Sequence, residues 1–105
     1  MNFLTNTVQN EKKRIEYMLE EYKKQKATLP KGTLSPKKLG NKTYYYLKYR
    51  DGERVVSDYV HPDELEHLSE LIDHRKHIDI MIKSLKGELA AADKLLKRHY
   101  KSNNH

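Results

Sequence analysis

The chain is organised around residues 43–60, which have the sequence TYYYLKYRDGERVVSDYV. Two runs of aromatic and β-branched residues flank the dipeptide Asp51-Gly52, and this combination is the strongest short-range signal for a β-hairpin, because glycine supplies the positive φ that a type I′ turn needs. With Asp51 and Gly52 as the two turn residues, Leu47 faces Val56 across the hairpin. The segment therefore predicts two antiparallel strands.

The side chains of paired strands alternate between the two faces of a sheet. The predicted core face holds Tyr45, Leu47, Tyr49, Val56 and Val60. The predicted exposed face holds Tyr44, Tyr46, Lys48, Arg50, Val55, Ser57 and Tyr59. It thus combines phenol rings, cations and a hydroxyl, although a one-residue bulge would exchange the faces of some positions.

Residues 33–39 precede the hairpin and are connected to it by Gly40-Asn41. We expect them to form a third strand, because an isolated hairpin is marginally stable in water. Pro36 lacks a backbone N–H donor, so such a strand lies at the edge of the sheet. The sequence leaves open a sheet of two or of three strands.

Helical patterns flank the predicted sheet. In residues 5–28, Val8, Ile15 and Tyr22 recur every seven residues, and Leu4, Met18 and Gln25 occupy the second seam position. Pro30 ends this helix, and Pro62 begins the next one, over residues 62–100. The apolar seam of the second helix has two rows, interrupted once by Arg75: Leu68, Arg75, Ile82, Leu89, Leu96 and Leu71, Ile78, Leu85, Ala92, His99.

These elements predict an α+β fold, in which two long antiparallel helices form a coiled-coil stalk and are joined by a small two- or three-stranded antiparallel β-sheet. We expect one domain over residues 1–105, with a flexible tail at 101–105. In this arrangement the first helix covers residues 64–88 of the second. Four apolar side chains beyond that point, Leu89, Leu95, Leu96 and Tyr100, then need a homodimer or another protein partner, unless the helix end is simply solvated.

The positive charge is concentrated around the sheet. The chain has a formal net charge of +6, and residues 23–59 hold ten Lys or Arg but only three acidic residues. Such a region favours a polyanionic partner, nucleic acid or a nucleoprotein complex first. The residues expected to bind it are Lys37, Lys38, Lys42, Tyr44, Tyr46, Lys48, Arg50, Arg54 and Tyr59. Alternatively, the tyrosines only stabilise the sheet and the lysines protect its edge from aggregation.

Other residue patterns give little support for catalysis or metal binding. The chain has no cysteine, and Glu70, His74 and His77, although spaced as zinc ligands can be, are expected to be ordinary solvated residues. Ser57 and His61 lack an evident third partner and a pocket. Arg75 either pairs with a glutamate of the first helix or extends its head to water. We therefore predict no enzyme activity, no cofactor and no metal site.

Several motifs resemble a known family. Leu29-Pro30-x-Gly32-x-Leu34 is followed by Gly40-x-x-x-Tyr44-Tyr45-Tyr46-Leu47-x-Tyr49-Arg50-x-Gly52, by Ser57-x-Tyr59 and by Arg75-Lys76. Over about residues 20–98 the chain resembles small bacterial, plasmid and phage proteins classed as a domain of unknown function. The resemblance implies a mobile-element setting and no activity. More loosely, the sheet followed by a helix is similar to the amino-terminal DNA-binding domains of tyrosine recombinases.

The sequence thus predicts a non-enzymatic nucleic-acid- or nucleoprotein-binding protein of a phage or mobile element, which acts through its basic, tyrosine-rich hairpin. The alternative is a protein-interaction module, such as a phage-encoded, anti-CRISPR-like inhibitor of a host nuclease, which acts through the helical seam or the hairpin. No run of residues is apolar enough for a membrane span. We expect the protein in the cytoplasm of a bacterial host.

Overall fold

The computed structural model of the chain describes residues 3–103, and describes side chains as far as Arg98. Its elements follow the order α1 (Phe3–Ala27), β1 (Thr33–Leu39), β2 (Lys42–Asp51), β3 (Arg54–Val60) and α2 (Pro62–Asn103). The predicted α+β class is confirmed, and the sheet has three strands. The chain divides into two compact units, a sheet unit of residues 28–77 and a helical unit formed by α1 and the part of α2 from Ile78 onward.

The sheet is antiparallel throughout, in the order β1-β2-β3. Leu34 of β1 lies opposite Leu47, and Tyr45 of β2 lies opposite Val60. Pro36 is therefore on an edge strand, as predicted, where its missing N–H costs no ladder hydrogen bond inside the sheet.

The hairpin register differs from the prediction by two residues. Asp51 pairs with Arg54, so the two turn residues are Gly52 and Glu53 rather than Asp51 and Gly52. Gly52 has a φ of +64°, while within residues 3–103 every residue with positive φ is a glycine, and this combination is typical of a type II′ turn rather than type I′. Because the shift is by an even number of residues, every side chain stays on the face predicted for it.

The sheet unit has a small core. Val60 and Ile72 are buried, and the core-face residues Tyr45, Leu47 and Tyr49 are half-buried. Incomplete burial of these core-face residues is expected, because a unit of this size buries only a small part of its surface.

Arg75 has a structural contact in the sheet unit. Its Nη1 donates a hydrogen bond of 2.7 Å to the backbone carbonyl of Leu29, a partner that neither sequence-based alternative had included. The guanidinium therefore joins α2 to the segment just before Pro30.

His61 caps the amino terminus of α2. Its Nδ1 accepts a hydrogen bond of 3.2 Å from the backbone N–H of Asp63, and its carbonyl accepts one from the N–H of Glu64. Pro62 occupies the first helical position, as predicted, where no N–H is needed. The role of His61 is thus that of a cap, which the sequence reasoning had missed because histidine is not among the preferred capping residues.

The helical unit is an antiparallel hairpin. Lys12 of α1 pairs with Asp93 of α2 at 2.9 Å, and Lys26, further along α1, pairs with Asp79, earlier in α2, at 2.5 Å. The two helices therefore run in opposite directions. The buried core between them consists of Ile15, Leu19, Ile78, Ile82, Leu85 and Ala92.

The second seam row of α1 lies one residue beyond its predicted position. Leu19 is 6% exposed, whereas Leu4 is 66% exposed. The row containing Leu19 also contains Lys12 and Lys26, whose ammonium groups reach carboxylates of α2. The prediction followed hydrophobicity and therefore favoured the row with Leu4 and Met18. A lysine can also occupy a seam position when its aliphatic stem packs there and its ammonium group reaches a carboxylate, and hydrophobicity does not reveal this.

The predicted overhang of α2 is wrong. α1 pairs with the part of α2 from Ile78 onward, as far as Asp93 at least, and not with residues 64–77, which belong to the sheet unit. Leu89 and Leu96 are consequently half-buried and Leu95 is exposed, while the Tyr100 side chain lies outside the described residues. The reason for expecting an unpartnered leucine seam is therefore removed. α2 also continues to Asn103, so residues 101–103 are helical.

Candidate functional site

One face of the sheet, called the outer face here, gathers most of the residues singled out in the sequence. The register places twelve side chains on it: Thr33, Ser35, Lys37, Leu39, Lys42, Tyr44, Tyr46, Lys48, Arg50, Val55, Ser57 and Tyr59. The cations among them are exposed. The opposite, inner face carries the core residues described above.

Charge is sorted between the two faces. Within the sheet the outer face carries four cations, Lys37, Lys42, Lys48 and Arg50, and no carboxylate. The inner face carries two cations, Lys38 and Arg54, and two carboxylates, Asp51 and Asp58. The outer face is thus positive, while the inner face is balanced.

Seven of the nine predicted binding residues lie together on the outer face: Lys37, Lys42, Tyr44, Tyr46, Lys48, Arg50 and Tyr59. Lys38 and Arg54 lie on the inner face, since each is adjacent in sequence to an outer-face position. Ser35 and Ser57, which the predicted site had omitted, lie beside these residues. The position of Ser35 beside these residues follows only from the pairing of β1 with β2, in which Ser35 lies opposite Tyr46.

Three phenol rings of the outer face form a cluster. The Tyr59 ring lies 5.7 Å from that of Tyr46 and 6.2 Å from that of Tyr44, measured between centroids, at interplanar angles of 65° and 53°. The contact with Tyr46 is edge-to-face and the contact with Tyr44 is tilted, and both stabilise the strand pairing. Tyr59 nevertheless remains 51% exposed, so part of its ring is available to a ligand.

A shallow depression of about 300 Å³ adjoins the ring cluster at Tyr46. Besides Tyr46 and Pro36 it is lined by two serines, Ser35 and Ser57, and two lysines, Lys37 and Lys48. Hydroxyl and ammonium groups both donate hydrogen bonds, and ammonium groups attract anions. This serine-lysine depression can therefore hold an oxyanion.

A second hollow, of about 390 Å³, lies where β2 begins and β3 ends. Its walls are mainly aromatic and aliphatic, with one lysine: Lys42, Thr43, Tyr44, Tyr45, Tyr59, Val60, Pro62 and Leu65. This aromatic groove offers ring faces and apolar contact to a flat ligand.

On the inner face, Tyr49 donates a hydrogen bond of 3.0 Å to Oδ2 of Asp58. That hydrogen bond, and then desolvation, raise the pKa of Tyr49 above its usual value. The hydrogen bond links the neighbouring strands β2 and β3 on the inner face.

The other sequence candidates are not brought together into a site. Glu70, His74 and His77 are exposed, and in the part of the chain that the structure describes no three metal-ligating side chains are grouped as a metal ion requires. Ser57 is exposed on the outer face, whereas His61 caps α2. In the helical unit, Leu95 and Leu96 line a small cleft of about 130 Å³ together with Leu4, Thr5 and Val8. Neither helix, over residues 3–103, has an apolar stretch of the length and hydropathy that a membrane span requires.

Comparison with known proteins gives a family match. The model of a family described as a domain of unknown function (DUF6788) matches residues 8–70. This range contains most of α1, the whole sheet and the start of α2, whereas the motifs had indicated residues 20–98. Neither a curated protein nor a solved structure matches the chain.

Proposed function

Since this chain belongs to the DUF6788 family, whose description carries no activity, we propose a function from the chemistry of its outer face: non-enzymatic binding of nucleic acid, free or within a nucleoprotein. Phosphate oxygens accept hydrogen bonds from lysine and arginine, and cation contacts to phosphates supply most of non-specific nucleic-acid affinity. Phenol rings add short-range contact with bases or sugars. The outer face places four cations beside three such rings.

The observation that carries the proposal is the sorting of charge between the faces of one sheet. Residues of the same strands alternate between the faces, so strands that were only generally basic would mix cations and carboxylates on both faces. Instead, both carboxylates of the strands lie on the inner face, where they balance Lys38 and Arg54. A surface free of carboxylates presents a uniform positive potential to a polyanion.

The alternation of the strands supplies a matched test. The outer-face variant Lys37→Glu/Lys48→Glu and the inner-face variant Lys38→Glu/Arg54→Glu change the net charge equally. We expect the outer-face variant to bind a labelled oligonucleotide at least about tenfold more weakly than the wild type, and the inner-face variant to lose much less. Fluorescence anisotropy at about 50 mM salt, where such contacts are strongest, measures both.

Equal losses in the two variants would contradict the proposal, because the effect would then come from net charge alone. Absence of binding by the wild type at low salt would also contradict it. Circular dichroism spectra of both variants control for folding, since all four substituted residues are exposed.

The origin in a plasmid or phage and the bacterial cytoplasm remain predictions from the sequence. The alternative function, an inhibitor or other protein-interaction module, also remains a prediction. A pull-down with and without nuclease separates the two functions, because protein capture that survives nuclease treatment is not bridged by nucleic acid. Leu95→Asp is the suitable variant for the helical surface, because Leu95 is exposed whereas Leu89 and Leu96 also contribute to the packing of the helical unit.

A further inference from the structure

We propose that the outer face binds single-stranded nucleic acid in preference to duplex, with a base against Tyr59 in the aromatic groove and a backbone phosphate in the serine-lysine depression. This inference rests on the proposed function and specifies its ligand. It follows from the order in which rings, cations and hydroxyls are arranged on the sheet.

Along β2, the outer-face residues follow one another as Lys42, Tyr44, Tyr46 and Lys48. Alternate residues of a strand are about 7 Å apart, so the two lysines flank the two rings over about 20 Å. The aromatic groove lies at the Lys42 end, and the serine-lysine depression lies at the Lys48 end. The ring cluster connects the two hollows, because Tyr59 contacts the rings of both Tyr44 and Tyr46.

The two hollows differ in chemistry. The serine-lysine depression offers hydroxyl and ammonium donors and has no carboxylate in its lining, which suits a phosphate diester. The aromatic groove lies at the end of the sheet, where Tyr44 and Tyr59 of the outer face meet the inner-face pair Tyr45 and Val60. Rings and aliphatic side chains with a single ammonium group, from Lys42, suit a planar base. A polymer that alternates phosphates and bases matches this alternation of donors and rings.

The rings favour a single strand over a duplex. A phenol ring binds a base through its face, and in a duplex both faces of each internal base are covered by neighbouring bases. The duplex exposes base edges in grooves, and the major groove admits an α-helix or a two-stranded ribbon more readily than the face of a three-stranded sheet. Tyr59, which is 51% exposed, therefore has a partner only where bases are unstacked.

The test compares three labelled DNA probes of about 12 nucleotides at one salt concentration: a single strand, the same strand in a duplex, and an abasic strand that keeps the phosphates. We expect the single strand to bind about tenfold or more tightly than the other two, by fluorescence anisotropy.

The Tyr59→Ala variant is expected to weaken single-strand binding roughly five- to one hundred-fold and to leave abasic-strand binding nearly unchanged. Tyr59→Phe keeps the ring and should bind as the wild type does, which separates loss of the ring from loss of the hydroxyl. Abasic-strand binding that is retained in Tyr59→Ala shows that this variant still folds. Tyr17→Ala removes an exposed tyrosine, 68% accessible, from the helical unit and serves as the matched control.

Duplex binding as tight as single-strand binding would overturn the inference, as would abasic-strand binding as tight as that of the ordinary strand. In either case a selective loss in Lys37→Glu/Lys48→Glu would still support the proposed function. Failure of the wild type to bind any of the three probes at low salt would overturn both.

Discussion

At the scale of single residues, Gly32 is the position where the backbone conformation and the neighbouring strand tolerate a side chain least. Its φ is +119°, and a Cβ atom there would lie 2.5 Å from the backbone oxygen of Lys48 and 3.1 Å from the Cβ of Tyr49. Any other residue would therefore meet both an unfavourable backbone conformation and an overlap with β2. Gly32 allows the chain to pass closely over the strand with which β1 then pairs.

Gly32→Ala is accordingly expected to lower the free energy of unfolding by about 2 kcal/mol or more. Urea denaturation followed by circular dichroism measures the change. Gly87→Ala is the control, because Gly87 lies within α2, and a Cβ there has no neighbour within 4 Å. That variant should be stabilised by about 1 kcal/mol, from helix propensity alone. A Gly32→Ala protein as stable as the wild type would show that the approach to β2 is looser than described.

At the scale of elements, α2 contains two isoleucines that lie two positions apart and differ greatly in solvent exposure. Ile78 is 0% exposed and Ile80 is 66% exposed, although both occur in one turn of the helix. The helical period turns Ile78 toward α1 and Ile80 toward solvent. Both residues look equally hydrophobic in the sequence, and the heptad pattern separates them correctly.

Ile78→Ala is expected to lower the free energy of unfolding by about 2–5 kcal/mol, because it leaves a cavity in the core of the helical unit. Ile80→Ala should change it by no more than about 0.5 kcal/mol. Thermal and urea denaturation of the two variants measure this difference. Similar losses in both would mean that Ile80 is covered in solution, by a second copy for example, and would revive the predicted homodimer.

At the scale of the whole molecule, net charge is a poor guide to the binding surface. Residues 28–77 contain nine Lys or Arg and eight Asp or Glu, so the sheet unit is nearly neutral as a whole. The positive face becomes apparent only when the strands are paired, because most of the acidic residues of this unit belong to α2 rather than to the strands.

The number of outer-face cations, four, sets the largest number of phosphate contacts that they can make, and so the steepest salt dependence of binding that they can give. Each phosphate contact on a single strand contributes about −0.7 to the slope of log K against log salt concentration, so four contacts give about −2.8. Lys48→Gln should bring the slope about 0.7 closer to zero. Titrations of a labelled single strand at several salt concentrations measure both slopes. A slope near zero in the wild type, or one unchanged by Lys48→Gln, would contradict phosphate contact at Lys48.

Helical and strand periodicity are local properties that survive an even shift in register, so the sequence alone was enough to predict the element types and the face of each hairpin residue. It left open a sheet of two or of three strands, and the pairing of β1 with β2 settled that choice. Only the tertiary structure decided which residues form the turn, because Asp51-Gly52 and Gly52-Glu53 both satisfy the need for a glycine with positive φ. It also decided which half of α2 packs on α1. Both halves carry apolar seams, and the choice depends on the sheet, which joins the half containing Ile72, and on the pairing of Lys12 and Lys26 with Asp93 and Asp79.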